Sequence, residues 1–375
     1  MFAWITLLPA LYIGGRYILP LHLPLALRLL FFIGVVAVAQ CHLVYKLVFG
    51  NRFAPEFPHS MMVAINGLFG TLIVFTLLLI LCDLISGVQF AIQGTWPDYG
   101  LVRHGLLGVA VLIAAYATYQ AVKVPRVKTV NLTIQHLPKA FDGYRVVQLT
   151  DLHASTLFTG RWMKKVVART NQLDADLVLF TGDVADGSVE KRFNDVAPLA
   201  ALQAKDGRFA IPGNHEYYSG YLPWMQRMGQ LGFTELINRS VAIEKAGNRL
   251  YVAGVTDEAA LRYQQEGPDL EQALAGVDRH STIILLDHRP ENARENLAAG
   301  VDLQLSGHTH GGMVYGLASI VKRANKGFSS GLYTLDQRHL YVSNGTGLWN
   351  GFALRLGYPS EITLFVLKGD DTQAR

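Results

Sequence analysis

Residues 177–186 read Leu-Val-Leu-Phe-Thr-Gly-Asp-Val-Ala-Asp, an apolar run that passes directly into two carboxylates. Leu177–Thr181 predicts a strand buried on both faces, because five successive β-forming residues bounded by glycine leave no solvent face. Asp183 and Asp186 then fall just beyond its carboxyl end, where open α/β sheets build their sites. The construction recurs. Tyr144–Thr150 leads into Asp151-Leu152-His153, and Arg208–Ile211 into Gly213-Asn214-His215-Glu216. Thr282–Leu286 leads into Asp287-His288, and Asp302–Ser306 into Gly307-His308-Thr309-His310-Gly311-Gly312.

The intervening sequence alternates between strand and helix patterns. Val130–Gln135 alternates as a half-buried strand, and Leu250–Gly254 reads as another. Arg161–Leu173 has helical spacing, with Trp162, Val166, Val167 and Thr170 on one side. Gly331–Leu335, His339–Ser343 and Glu361–Leu367 read as consecutive strands separated by turns. Such alternation predicts an α/β class: two packed sheets with helices outside, over residues 125–375.

The chain ahead of this has another character. Only eight Asp, Glu, Lys or Arg precede Lys123, against 54 from there onward, which sets a boundary near residue 123. Four stretches approach the length of about 20 apolar residues that a bilayer-spanning helix needs: 2–20, 29–49, 61–82 and 104–122. They predict a transmembrane domain of about four helices over residues 1–124. Turn and breaker residues separate them: Pro20 and Pro24, then Asn51–Pro58, then Gly94–Gly100. The first stretch lacks a basic leading region and a small-residue cleavage site, so it is read as retained. Lys46, Arg52, Lys123, Arg126 and Lys128 follow the second and fourth stretches, which places both termini and the second domain on the cytoplasmic side. Gln40, His42 and Lys46 read as an interfacial end with a snorkelling lysine ahead of the alternative, a polar pathway or a lipid-headgroup contact. Cys41 and Cys82, the only cysteines, read as inert buried thiols, so any metal in the second domain must be held by His, Asp and Asn. The net charge of +4, without a basic stripe, does not suit a nucleic-acid binder.

The motif residues suit metal chemistry. Asp151 and His153 can converge once the backbone turns past its strand. A carboxylate such as Asp183 can bridge two cations about 3.5–4 Å apart. Asn214 offers a carbonyl oxygen, and His288, His308 and His310 offer imidazole nitrogens. Mixed oxygen and nitrogen donors suit Mn, Fe or Zn better than Ca.

The ordered set D-x-H, G-D-x-x-D, G-N-H-[DE], a lone His and G-H-x-H resembles the calcineurin-like metallophosphoesterases, over about residue 130 to the C-terminus. The resemblance implies a four-layer α/β/β/α domain. It implies a first metal held by Asp151, His153, Asp183 and His310, and a second by Asp183, Asn214, His288 and His308. It further implies a hydroxide shared by the metals as nucleophile, His215 as proton donor or charge stabiliser facing the phosphate, and Asp186 orienting a metal-bound histidine. Gly331-Leu332-Tyr333, Tyr341-Val342-Ser343, Gly345, Gly347, Arg355 and Pro359–Thr363 resemble the membrane-associated branch of that family. That branch holds bacterial inner-membrane phosphodiesterases and the animal transmembrane proteins with a metallophosphoesterase domain; a chlamydial lipid A enzyme hydrolysing UDP-2,3-diacylglucosamine is similar. Met313 stands where the pattern has Gln, and Asp287 where it has a small residue.

The expectation is therefore a membrane-anchored phosphodiesterase or pyrophosphatase of the inner membrane with two divalent ions, Mn before Fe or Zn. Its substrate would be a phosphodiester or pyrophosphate, with a nucleotide-activated lipid favoured by the anchoring. A soluble-substrate phosphodiesterase, a non-catalytic scaffold and a transport role for the spans are the alternatives. Complete motifs weigh against the scaffold, and the scarcity of polar residues in the spans against transport. Tyr217, Tyr218, Tyr221 and Trp224 stand between a substrate groove and core packing, and Gly327–Gly331 is a candidate substrate loop.

Overall fold

The computed structural model describes residues 2–370, which divide into two compact units. One extends to Val122 and takes in Asn350–Arg355; the other holds Lys123–Trp349 and resumes at Leu356.

The second unit contains two six-stranded sheets. Its strands are β1 (Arg126–Ile134), β2 (Arg145–Leu149), β3 (Leu177–Thr181), β4 (Gly207–Ile211), β5 (Thr234–Glu235), β6 (Arg239–Lys245), β7 (Asn248–Gly254), β8 (Thr282–Leu286), β9 (Leu303–Ser306), β10 (Gly331–Leu335), β11 (Arg338–Val342) and β12 (Glu361–Gly369). The first sheet is ordered β1-β12-β2-β3-β4-β5, and the second β10-β11-β9-β8-β7-β6. Alternate side chains explain the layering. Val146, Leu177, Leu179, Phe209 and Ile211 of the first sheet share a core with Leu250, Val252, Ile284, Leu286, Leu303 and Leu305 of the second. Burying a side chain of that size contributes roughly 1.5–3 kcal/mol. The opposite residues of the second sheet, Tyr251, Ala253, Ile283, Leu285, Leu340 and Val342, pack with Ala273, Leu274, Ala293 and Leu297 from its outer helices. Beside the first sheet, the helix Gly160–Asn171 buries a stripe of Trp162, Met163, Val166, Val167 and Thr170. The expected α/β/β/α layering is met.

Strands β2, β3 and β4 run parallel, as do β7, β8 and β9, so each set delivers its carboxyl ends to one edge. Hydrogen bonds join the sheets there: Gln148 donates to Ser306 O (3.1 Å), and His288 Nδ1 to Thr181 O (2.7 Å). Three differences from the sequence reading concern edges, one of them the unexpected two-residue β5 beside β4. β1 starts earlier, at Arg126, because it pairs in parallel with all nine residues of β12. β6 was not expected; it carries a polar edge and closes a hairpin on β7 through Ala246 and Gly247, both at positive φ (48° and 76°).

The N-terminal unit is helical. The helices His59–Gln93, of 35 residues, and Gly100–Val122, of 23, are long and apolar enough to cross a membrane. Leu25–Ala39 and Cys41–Phe49 meet at a 63° bend and would form a third span only if taken together. The remaining expected span is a 12-residue helix, Phe2–Ile13, continued by a π turn, Gly14–Ile18. That segment holds Pro9, which removes a helical donor, and Arg16, which pairs with Asp83. Ala10, Ile13, Leu72, Phe75, Leu79 and Ala110 form the interior, while Leu77, Leu81, Leu84, Ile85 and Leu112 face outward, so the long helices are apolar all round.

Asn350–Arg355 threads among these helices. Ala353 N donates to Asn66 Oδ1 (3.0 Å) and Arg355 N to Ala117 O (3.0 Å). A Cβ on Gly70 would lie 2.6 Å from Leu354, so glycine makes room for the segment. His42 is buried and bonds Gly351 O through Nε2 (2.5 Å). It is therefore held inside the helical unit, away from its surface. Cys41 and Cys82 are buried and unpaired, as expected.

Candidate metal centre

Six of the seven expected metal-binding residues come from the ends of four strands and meet in one place, and the seventh, Asn214, precedes His215, whose N donates to Asp183 Oδ1 (2.8 Å). Asp151, His153 and His310 form one potential metal-holding group, and Asp183, His288 and His308 another. Asp183 reaches both: its Oδ2 lies 3.7 Å from His153 Nε2 and 3.3 Å from His288 Nε2. His153 Nε2 stands 3.2 Å from His310 Nε2, and His310 Nε2 lies 3.6 Å from Asp151 Oδ1. Asp151, His153, Asp183, Asn214, His288 and His310 are all buried, and His308 is partly open.

The backbone is bent to achieve this. Asp151, His153, Asp183, His308 and His310 all have positive φ, between 46° and 66°. Left-handed conformations cost non-glycine residues roughly 1–2 kcal/mol each, and their concentration here marks a site that the surrounding structure must hold. Gly182 allows the closest approach: a Cβ there would sit 2.6 Å from Gly213 N and 2.7 Å from His288 Nδ1.

Hydrogen bonds aim the donors. His288 Nδ1–H donates to the Thr181 carbonyl, which can only accept, so Nε2 is turned inward. That Nε2, like Asn214 Oδ1, is buried without a hydrogen-bond partner. Its 3.3 Å approach to Asp183 Oδ2 lacks the alignment of a hydrogen bond. An orphaned buried imidazole nitrogen 3.3 Å from a carboxylate is what a cation would satisfy, and the donor chemistry fits a divalent ion. Asp186 Oδ1 accepts from Nδ1 of both His153 (3.0 Å) and His215 (2.7 Å). Glu216 accepts from the backbone of Gly213 (2.7 Å), Asp183 (2.9 Å) and Val184 (2.7 Å), which staples two motif loops together. Thr150 Oγ1 and His308 N both donate to Asp151.

The electrostatics follow. Burial opposes charge on Asp183, yet the His288 and His215 imidazoles hold its carboxyl well below the usual range. Burial likewise opposes charge on His153 and His288, but Asp186 raises the first and Asp183 pushes the second up to about 10. Burial and then the His288 and Arg289 charges depress His308. His215 is raised against its burial by Asp183 and Asp186.

The region from Tyr144 to Gly312 matches the calcineurin-like phosphoesterase family. A metallophosphoesterase of Bacillus subtilis (strain 168) is 33% identical over 70% of this chain and 94% of its own length. The chain belongs to the calcineurin-like metallophosphoesterase family. The transmembrane protein with metallophosphoesterase domain of Danio rerio is 32% identical over 72% of this chain, and a Helicobacter pylori (strain J99) metallophosphoesterase is 34% identical over 65%. The match spans only 64% of the length of each of those two relatives.

Within this metallophosphoesterase unit the remaining motif residues sort by contact. His215 lines the open side, 18% exposed, with Tyr218 beside it at 5.3 Å between ring centroids. Tyr217 stacks on Tyr221 and Trp224 is fully buried, so of the aromatic run only Tyr218 is half exposed beside the centre. Asp287 points away from the centre into a buried network with Asn296 (3.0 Å) and Gln304 (3.5 Å). Gly327–Gly331 is pinned, since Phe328 is buried and Ser329 O accepts from Thr309 Oγ1 (2.6 Å). Three contributors were missed in the sequence. Glu216 was legible as the acidic residue three beyond Gly213, the spacing of a capping box. Asp257 and Arg289 (2.8 Å apart), with Arg289 Nη1 3.2 Å from His308 Nε2, carried no motif signal.

Proposed function

We propose that the chain is a membrane-anchored, two-metal-dependent phosphoesterase of the phosphodiesterase or pyrophosphatase type. The observation that carries the reading is Asp183, a single carboxylate within reach of both donor groups. Asp151, His153, Asp183 and His310 would hold one ion, and Asp183, Asn214, His288 and His308 the other. When bound, such ions lower the pKa of water toward neutrality and neutralise phosphate oxygens.

The chain's own residues do the rest. Asp186 fixes the His215 ring through Nδ1, which leaves Nε2 at the open side, 4.0 Å from Asp183 Oδ2. With its pKa raised, that imidazole carries the proton a departing alkoxide needs. Arg289, held by Asp257, adds a fixed positive charge for a substrate phosphate. No serine or cysteine stands in a motif, so a covalent enzyme intermediate is not part of the reading.

The natural substrate in this proposal is a phosphodiester or pyrophosphate carried by a nucleotide-activated lipid such as UDP-2,3-diacylglucosamine, hydrolysed at the cytoplasmic face of the inner membrane, with manganese as the metal. The long apolar helices and the transmembrane name of the Danio rerio relative support the anchoring. The test uses full-length protein, stripped of metal and reloaded with Mn²⁺, beside Asp183→Ala. Mn²⁺-dependent hydrolysis of UDP-2,3-diacylglucosamine that the substitution abolishes is expected. Turnover of bis(p-nitrophenyl) phosphate alone would remove the lipid substrate, and no turnover of either despite bound metal would overturn the enzyme.

A further inference from the structure

The helical unit contains a pair of cavities that shares no residue with the metal centre. The first is an apolar cleft of about 520 Å³, lined by Phe31, Gly34, Val38, Leu72, Phe75 and Leu107 among others. The second, of about 430 Å³, is polar, with Arg16, His22, Asp98, Arg103 and His104 on its walls. Tyr17 and Leu21 line both, so the two are adjacent. Each lies in the size range of a ligand site.

The polar half is built around shared charge. Asp83 accepts from Arg16 Nε (2.6 Å) and Nη2 (2.7 Å), from Arg103 Nη2 (3.2 Å) and from Tyr12 Oη (2.6 Å). One carboxylate therefore serves two guanidiniums, and Arg103 Nε is buried without a partner. The second acid, Asp98, accepts from Gly100 N (2.9 Å) and so caps the helix Gly100–Val122, whose amino end itself favours negative charge. Tyr17 Oη and His104 Nδ1 lie 2.8 Å apart at the junction with the cleft.

We propose that this pair of cavities binds one anionic phospholipid, with its phosphate against Arg103 and Arg16 and an acyl chain in the cleft. The guanidinium fork matches phosphate oxygens, and among the described residues Arg103 Nε has no hydrogen-bond partner, so the Arg103 guanidinium is only partly satisfied by Asp83. An uncharged apolar helix would cover the cleft but bring no anion to the arginines. The inference rests on the helical unit lying in a bilayer, and it is independent of the reaction.

Native mass spectrometry of the delipidated full chain in detergent, titrated with phosphatidylglycerol or phosphatidylcholine, tests it. One phosphatidylglycerol is expected to bind at least about tenfold more tightly than phosphatidylcholine, the equivalent of one charge-assisted contact. Arg103→Gln should remove that preference, while Asp83 keeps Arg16 and Tyr12. Gly34→Leu should weaken both lipids, because open space surrounds the position and the new side chain fills the cleft without a clash. Equal affinity for the two lipids, phosphatidylglycerol binding that survives both substitutions, or a lipid-free dimer would overturn the proposal. Release of the chain from membranes by alkaline carbonate would overturn the bilayer reading and this inference with it. That result is distinct from lost selectivity in a chain that stays membrane-bound.

Discussion

The two units invert one another. In the metallophosphoesterase unit the buried centre is polar: six expected metal-binding residues lie out of solvent, and among them Asp151 accepts from Thr150, while His288, His153 and Asp183 donate to Thr181, Asp186 and Glu216. In the helical unit the exposed face is apolar, with Leu77, Leu81, Leu84 and Ile85 turned outward. The first arrangement depends on individual atoms, because an unpaired buried polar group costs about 1–3 kcal/mol. The second depends on composition, because any apolar side chain serves on a lipid-facing surface. The contrast teaches where a single substitution should matter.

The largest effect is expected from Asp183→Ala. It removes the carboxylate that lies 3.7 Å from His153 Nε2 and 3.3 Å from His288 Nε2, so activity should fall by about 10³-fold or more and elemental analysis should find at most one ion per chain. A variant that keeps two ions and full activity would break the account of the centre. His215→Gln should lower kcat by about 10²–10⁴-fold while both ions remain, which separates proton donation from metal holding.

Glu216→Ala strips the acceptor from three buried amides and should destabilise the unit by roughly 3 kcal/mol or more, read by denaturant unfolding. Glu216→Gln, which keeps one oxygen, should recover part of that. Asp186→Asn loosens His153 and His215 together, so metal affinity or activity should fall about 10–100-fold.

Metal uptake should also depend on pH. In the metal-free chain His153 and His288 are raised, the latter to about 10. A raised imidazole is protonated below its folded pKa and must lose that proton to bind a cation, so affinity should weaken as pH falls and binding should release protons. Calorimetry in buffers of different ionisation enthalpy measures this; no proton release at pH 7 would break the electrostatic picture. The smallest effect is expected from Leu81→Ile on the outward face of His59–Gln93, within about 0.5 kcal/mol, read by thermal unfolding in detergent. A loss comparable with Glu216→Ala would show that face to be packed, and would blur the contrast between the units.

Much of this was legible in the chain because the signals were local. Each motif residue follows a strand whose apolar run announces it, and parallel strands in one sheet bring carboxyl ends together. The helical unit was less legible. Its composition announces apolar helices, but the bend at Gln40 and the short helix ended by a π turn at Gly14 come from packing. The contact of His42 was hidden for the same reason: its partner, Gly351, lies 309 residues away. Arg289 and Asp257 were invisible because they meet only when the loops after β8 and β7 are brought side by side.

By itself the sequence determined the class of fold, the donors and their order, since strand period, glycine placement and ligand type are properties of neighbouring residues. Only the tertiary structure decided that Asp183 stands between two donor groups, that Asp186 serves two histidines at once, and that Asp83 is shared by two arginines. Those are contacts across tens of residues of chain, and they exist because each buried charge must find its partners within a few ångströms wherever the fold places them.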